Sequence, residues 1–319
     1  MTLLRTILTD GLGRLWRTSR PLTAAGLLML PILAAALAGV WLDDTVITGV
    51  SAWLKPAKFA ASIAVYTLTL AWVFAYLPAW HRTRRAVGWV TAAVLVLEIG
   101  IIALQAWRGT TSHFNVGTLL DARLFSVMGA AIVAQTVSVV AVAVALWRQP
   151  FADRALGWAL RLGMALTIVG ASTGGLMARP TEAQLAEARA ARLTVAGAHT
   201  VGAPDGGPGL PGTGWSVEHG DLRVPHFVGL HALQALALLA LAWPRRWSDA
   251  KRTRLTLLAA ASYTALFVIL LAQALGGEPL IAPGAATLTA LAAWAMLTGA
   301  AAWMAAFRPE RVMPAVAVS

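Results

Sequence analysis

Stretches of about 20 mostly apolar residues recur along the chain, and a run of that length crosses the hydrocarbon core of a bilayer as one helix. Lipid offers backbone amides no water to bond, so each stretch must close its hydrogen bonds within itself. The fold class follows: an all-α polytopic transmembrane helical bundle of about eight spans. Hydropathy and helix breakers place the spans near 22–42, 56–79, 86–107, 122–147, 157–178, 225–243, 254–275 and 286–307. With 58% apolar and 12% charged residues among 319, little chain is left for a separate soluble domain. The expected division is a basic segment 1–20, one bundle 21–308 with a long outer connection near 179–224, and a cytoplasmic tail 309–319.

A net charge of +11 suggests nucleic acid in a soluble protein, but here the arginines concentrate in alternate loops. Arg82, Arg84 and Arg85 follow span two; Arg148 and Arg154 follow span four; Arg245, Arg246, Lys251 and Arg252 follow span six. Positive charge stays on the cytoplasmic side, so these loops and both termini belong inside, as in a multi-pass protein of a bacterial plasma membrane. The lipid bilayer, not nucleic acid, is the partner of this charge. Arg5, Arg14, Arg17 and Arg20 precede a first run long enough to span, which reads as a retained helix. Before it, Leu3, Leu4, Ile7, Leu8, Leu12 and Leu15 give a surface helix an apolar side. The absence of cysteine excludes disulfides, thiolate metal ligands and a cysteine nucleophile.

The outer connection starts with PTEAQLAEARAARLTV, which suits a short helix, and continues with VGAPDGGPGLPGTG, which does not. A connection this long reads as a lid, a surface for a protein partner, or a disordered insertion. His199 falls inside it and is expected to be mobile, away from any site.

Chemistry concentrates in the outer half. Glu98 lies within span three, where an ionisable group is expensive and faces a cavity or a partner. Gln105 lies two turns on along the same face, followed by Arg108, His113 and Asn115. Pro56 suits the first position of span two and puts Lys55 and Lys58 in its opening turn, against the helix dipole. Either both lysines snorkel to headgroups, or they bind an anion such as a carboxylate or a haem propionate.

HFVGLHALQ adds His226, His231 and Gln234. On a regular helix the two histidines point about 140° apart, unlike a same-face i, i+4 metal pair. His113, His226 and His231 are the candidate ligands for haem or a divalent transition metal; interhelical hydrogen bonding is the plain reading of His231 and Gln234. Gly170 to Gly174 spells G-x-S-x-G around Ser172, but inside a membrane helix such small residues serve close packing.

The expectation is an outward-facing His/Glu/Lys pocket in a metal- or haem-dependent membrane oxidoreductase acting on a lipid-soluble small molecule. Glu98 and His113 would be catalytic; Lys55, Lys58, Gln105, Arg108, Asn115 and Gln234 would bind substrate or anion; His113, His226 and His231 would ligate. A proton-coupled transporter of an anionic solute and a structural or assembly subunit of a membrane complex are the alternatives.

Overall fold

The computed structural model describes residues 2–307, with side chains from Asp10 onward. The tail 309–319 and the side chains of Leu3, Leu4, Ile7 and Leu8 lie outside the described residues. In chain order the elements are α1 (Thr2–Thr18), α2 (Arg20–Leu42), a hairpin of β1 (Val46–Ile47) and β2 (Val50–Ser51), α3 (Leu54–Phe74), α4 (His81–Trp107), α5 (Leu119–Arg148), α6 (Arg154–Ser172) and α7 (Gly174–Met177). The long connection follows, carrying α8 (Glu182–Ala190), β3 (Thr200–Val201) and β4 (Gly220–Asp221). The chain then runs through α9 (Arg223–Leu230), α10 (Ala232–Ala242), α11 (Asp249–Leu275) and α12 (Ala285–Phe307).

Seven helices of the described residues are long and apolar enough to cross a membrane, and α9 with α10, bent by 44° at a short break, makes up to an eighth if the pair is one span. The protein is a multi-pass, all-α membrane bundle. With that pair as one span, the start of α2 and the end of α12 share one side, that of the arginine-bearing loops.

Helix starts and ends follow local chemistry. Asp153 caps α6 by accepting from the Leu156 amide at 3.1 Å, and Ser248 caps α11 by accepting from the Lys251 amide at 3.2 Å. Arg161 donates to the Leu146 and Gln149 carbonyls, closing the end of α5 from the inner side. Asp153 also accepts from Arg252 at 2.9 Å, which joins two inner loops.

Polarity is divided along the membrane normal. The inner half is filled by one large apolar core, with Leu22, Leu70, Phe74, Leu77, Leu146, Leu160 and Leu233 among its members. The outer half holds smaller apolar clusters around buried polar groups.

The halves meet where α6 crosses α9. A Cβ on Gly170 would stand 2.5 Å from the Cα and carbonyl carbon of Gly229, so the two backbones touch. Gly163 makes a similar approach one step inward, where a Cβ would meet Leu233 Cα at 2.8 Å. Ser172 donates its hydroxyl back to the Ile168 carbonyl at 2.9 Å on the exposed side of α6. The G-x-S-x-G stretch is thus a packing surface of small residues, as helices in lipid use.

The Gly170→Ala change must push the helices apart. It should lower the unfolding stability in detergent by about 3 kcal/mol, as overpacking of a tight contact does. Gly175→Ala, where a Cβ meets nothing within 4 Å, should leave the unfolding midpoint unchanged.

Candidate functional site

The turn from Arg108 to Thr118 is built before any pocket is. Asp121, 4% exposed, accepts from Gln105 at 2.8 Å and Arg108 at 2.6 Å through Oδ1, and from the Thr118 hydroxyl at 2.6 Å through Oδ2. Arg108 also donates to the Gln105 side-chain oxygen. Thr118 in return accepts from the Asp121 amide, capping α5. Asn115 donates to the Thr110 hydroxyl at 2.9 Å and accepts from the Gly117 amide at 3.1 Å. The structure therefore spends Gln105, Arg108 and Asn115, which the sequence suggests as anion binders, on a clasp between α4 and α5. The charge of Arg108 is matched by Asp121.

The clasp presents His113. Lys55 Nζ stands 3.1 Å from His113 Nδ1, and the Ser112 hydroxyl stands at the same distance. The ring is walled by Phe59, Phe114 and Phe125, with centroids at 5.8, 6.1 and 6.4 Å. Phe114 itself holds a left-handed backbone, φ 64°, which a bulky residue adopts only when its surroundings enforce it. The enforcement comes from the long connection, whose Ala196 amide donates to the Phe114 carbonyl at 2.8 Å.

That connection is an ordered cap. The Val116 amide donates to the Thr194 carbonyl at 2.9 Å, the Ala198 amide donates to the Met177 carbonyl at 2.9 Å, and β3 pairs with β4. A capping box of Thr181 and Gln184 starts α8, and Gln184 also bonds both the amide and the carbonyl of Gly197. Lys58 donates to the Thr213 carbonyl at 2.6 Å and Arg223 to the Gly214 carbonyl at 2.6 Å, which ties the cap to two helix starts. Asp221 pairs bidentately with Arg223, so that cation too is neutralised.

The cap delivers His199, which the sequence reading leaves out as mobile. Asp205 accepts from the His199 and Thr200 amides at 2.9 and 3.0 Å and meets His199 Nδ1 at 2.5 Å. The His199 ring packs on Phe114 at 4.8 Å, and its charge is within reach of Lys55 and His113. The sequence signal is faint: a histidine six residues before an aspartate in a glycine-rich turn.

His226 arrives from the other side. Its Nδ1 lies 2.8 Å from the Gly170 carbonyl and 3.1 Å from the Thr173 hydroxyl, whose own proton goes to that same carbonyl. His231 does not share this anchor. It sits at the bend between α9 and α10, with non-helical φ −92° and ψ 4°, and stacks on Phe227 at 4.4 Å. The His231 amide still donates to the Phe227 carbonyl at 3.1 Å, so the two histidines sit on one helical turn and point to different neighbours. Gln234 follows in α10 with both amide atoms buried and unbonded. Glu98 is 1% exposed, its Oε1 has no partner, and Lys55 is the charge that reaches it.

The anchors set the tautomers. A carbonyl and a carboxylate only accept, so His226 and His199 carry their proton on Nδ1 and keep a lone pair on Nε2. A lysine ammonium only donates, so His113 accepts at Nδ1 and presents an Nε2 proton. The residues gathered under the cap thus carry two imidazole lone pairs, one imidazole donor, and the Lys55 ammonium. Among the described residues no three His, Cys, Asp or Glu side chains stand close enough to hold a metal ion together.

Burial, reinforced by the charges of Lys55, His199 and His226, holds the His113 imidazole well below its ordinary 6.5. Burial also lowers His199, against the opposing pull of Asp205. Burial pulls the Asp205 carboxyl upward, yet the His199 hydrogen bond and charge and the Thr200 amide hold it below the usual range.

No known protein family matches the chain, and searches of curated proteins and of solved structures give no match.

A pH dependence follows from the histidines. Their folded values lie below 6.5, so on acidification the unfolded chain takes up protons first. Stability should be level above that pH and fall below it, with the Asp205 contribution lost only at lower pH. Thermal unfolding in detergent between pH 8 and 5 should show this slope, and His113→Gln should reduce it. A flat profile in the unsubstituted protein would contradict the neutral-imidazole assignment.

Proposed function

We propose that this protein is a membrane enzyme of redox type, working at the outer face of a bacterial plasma membrane on a lipid-soluble molecule. The observation that carries the reading is the set of anchored imidazoles under an ordered cap, above an inner half that is closed by apolar packing. A site above closed apolar packing suits chemistry better than passage.

Because no three donors meet, the donor set fits haem, which needs only one or two axial imidazoles, better than a three-ligand metal ion. His199 and His226, whose charges reach each other, would be the ligands through Nε2. Each has the second-shell partner on Nδ1 that imidazole ligands normally use. One-electron transfer is the chemistry that haem supplies when bound. Lys55 and Lys58 provide positive charge for a propionate or for an anionic group of the substrate. His113 donates a hydrogen bond from Nε2 to an oxygen of the substrate, and Phe59, Phe114 and Phe125 exclude water around it. Glu98, beneath Lys55, exchanges the proton.

Purification in mild detergent, an absorption spectrum and iron analysis test this directly. A haem band with stoichiometric iron is expected, lost in the His199→Ala/His226→Ala variant. Asp205→Asn should weaken retention by about tenfold to a hundredfold, as loss of a ligand's orienting partner does. A colourless, iron-free and well-folded protein would remove the haem centre.

The bend at His231 favours a second reading, a proton-coupled carrier of an anionic solute, because transport sites are commonly built at broken helices. In that case a pH gradient across proteoliposomes should drive anion flux, and Glu98→Gln should abolish it. Gradient-independent flux, or none, rules the carrier out.

A further inference from the structure

The proposed role of Glu98 requires a source of protons, and the pocket above it is roofed by the cap. Below it, α2, α3 and α4 pack together along a seam. The seam carries a series of buried hydroxyls: Ser19 at the inner end, Thr23 on α2, Thr67 on α3 and Thr91 on α4. Measured from the inner helix ends, Thr23, Thr67, Thr91 and Glu98 lie roughly 5, 10, 15 and 25 Å deep at the helical rise per residue. Small residues admit the hydroxyls: a Cβ on Gly26 would stand 2.8 Å from Thr67 Oγ1, and one on Gly88 would stand 3.0 Å from Ser19 Oγ.

Thr23 and Thr67 donate back to their own helices, to the Ser19 carbonyl at 2.9 Å and the Ile63 carbonyl at 2.8 Å. Their oxygens keep lone pairs. Thr91 departs from this habit: it is fully buried and its hydroxyl bonds nothing, although the carbonyl one turn back is the usual acceptor. Glu98 Oε1 is equally alone, seven residues on along the same face of α4. Two unsatisfied buried oxygens on one stripe are costly in a low-dielectric interior unless internal water completes them. Leu95 and Met29 pack together in an apolar cluster on the same seam.

We propose that the α2–α3–α4 seam is a water-linked proton path from the inner face, by way of Ser19, Thr23, Thr67 and Thr91, to Glu98. It rests on the reading that Glu98 exchanges protons. A proton entering at the inner end would be relayed by hydroxyl and water oxygens to the Glu98 carboxylate, and from there to the chemistry of the outer site. Chemistry in the outer pocket would then draw its protons from the inside, and each turnover would move positive charge outward across the membrane.

Infrared spectroscopy of the protein in lipid nanodiscs tests the path. The carboxyl C=O stretch of protonated Glu98 is assigned by its loss in Glu98→Gln, and its shift is timed after transfer into heavy water. Thr91→Val, of nearly the same shape, should slow that exchange by about a hundredfold, the scale of losing one positioned proton-transfer group. Thr91→Ser should restore it. Exchange in Thr91→Val at the unsubstituted rate, with slowing in Lys55→Met instead, would show that protons arrive from the outer pocket and overturn the path. If no exchanging carboxyl band belongs to Glu98, both the path and its proton role fall, while the absorption and iron measurements on His199 and His226 stand unaffected.

Discussion

The close approach of Gly170 and Gly229 sets the rest of the outer half. Only where two backbones touch can the Gly170 carbonyl, at the last turn of α6, meet the His226 ring across the interface. That carbonyl also accepts from the Thr173 hydroxyl, so it serves the end of its own helix and the imidazole of the next. In lipid a freed carbonyl must find such partners within the protein. The packing of small residues therefore fixes which nitrogen of His226 bears the proton, and with it whether the ring can act as a ligand. A bundle spaced by larger side chains would leave the imidazole without its anchor.

The cap works by the same logic from above. Its strands and turns are rich in glycine and polar residues, and such a segment holds one conformation only when its backbone groups are bonded elsewhere. Here they bond the turn at Phe114, the end of α7 and the loop before α12, where the Gly220 amide meets the Gly277 carbonyl at 2.8 Å. Gly197 has φ 114° and passes so close to Met177 that no side chain fits. The left-handed Phe114 is the counterpart on the bundle side. Strain at one residue, of order 1–3 kcal/mol, is offset by the bonds that hold the cap shut.

Apolar length alone made the all-α multi-pass bundle, with its seven to eight candidate crossings, legible, since lipid leaves a chain few alternatives. The packing role of the glycines around Ser172 was equally readable from their setting in a membrane helix. The site was only half legible. Lys55, His113 and Glu98 announce themselves as charged or titratable groups in apolar sequence. His199 does not, because it owes its burial to contacts with residues some 85 positions away, such as Phe114, and local composition in that stretch reads as loop. Gln105, Arg108 and Asn115 look free in sequence because Asp121, which engages the first two, lies beyond an intervening turn. The bend at His231 is not marked by a proline in HFVGLHALQ, where Gly229 is the only helix-weakening residue.

The decisive contrast for function lies between the two halves of the bundle. A carrier must at some point open the inner half, and here that means parting Phe74, Leu77, Leu146, Leu160 and Leu233, all close to fully buried in one continuous core. Each such side chain contributes on the order of 1.5–3 kcal/mol when buried from water, so opening to water would forfeit a sum large on the scale of a conformational switch. A proton needs no such opening. It passes along single waters and hydroxyls that a packed seam can hold. The unsatisfied oxygens of Thr91 and Glu98 lie beside that core, on the seam of α2, α3 and α4. Apolar closure of the inner half, with the proposed seam path left for protons, is what the proposed chemistry at the outer site would require.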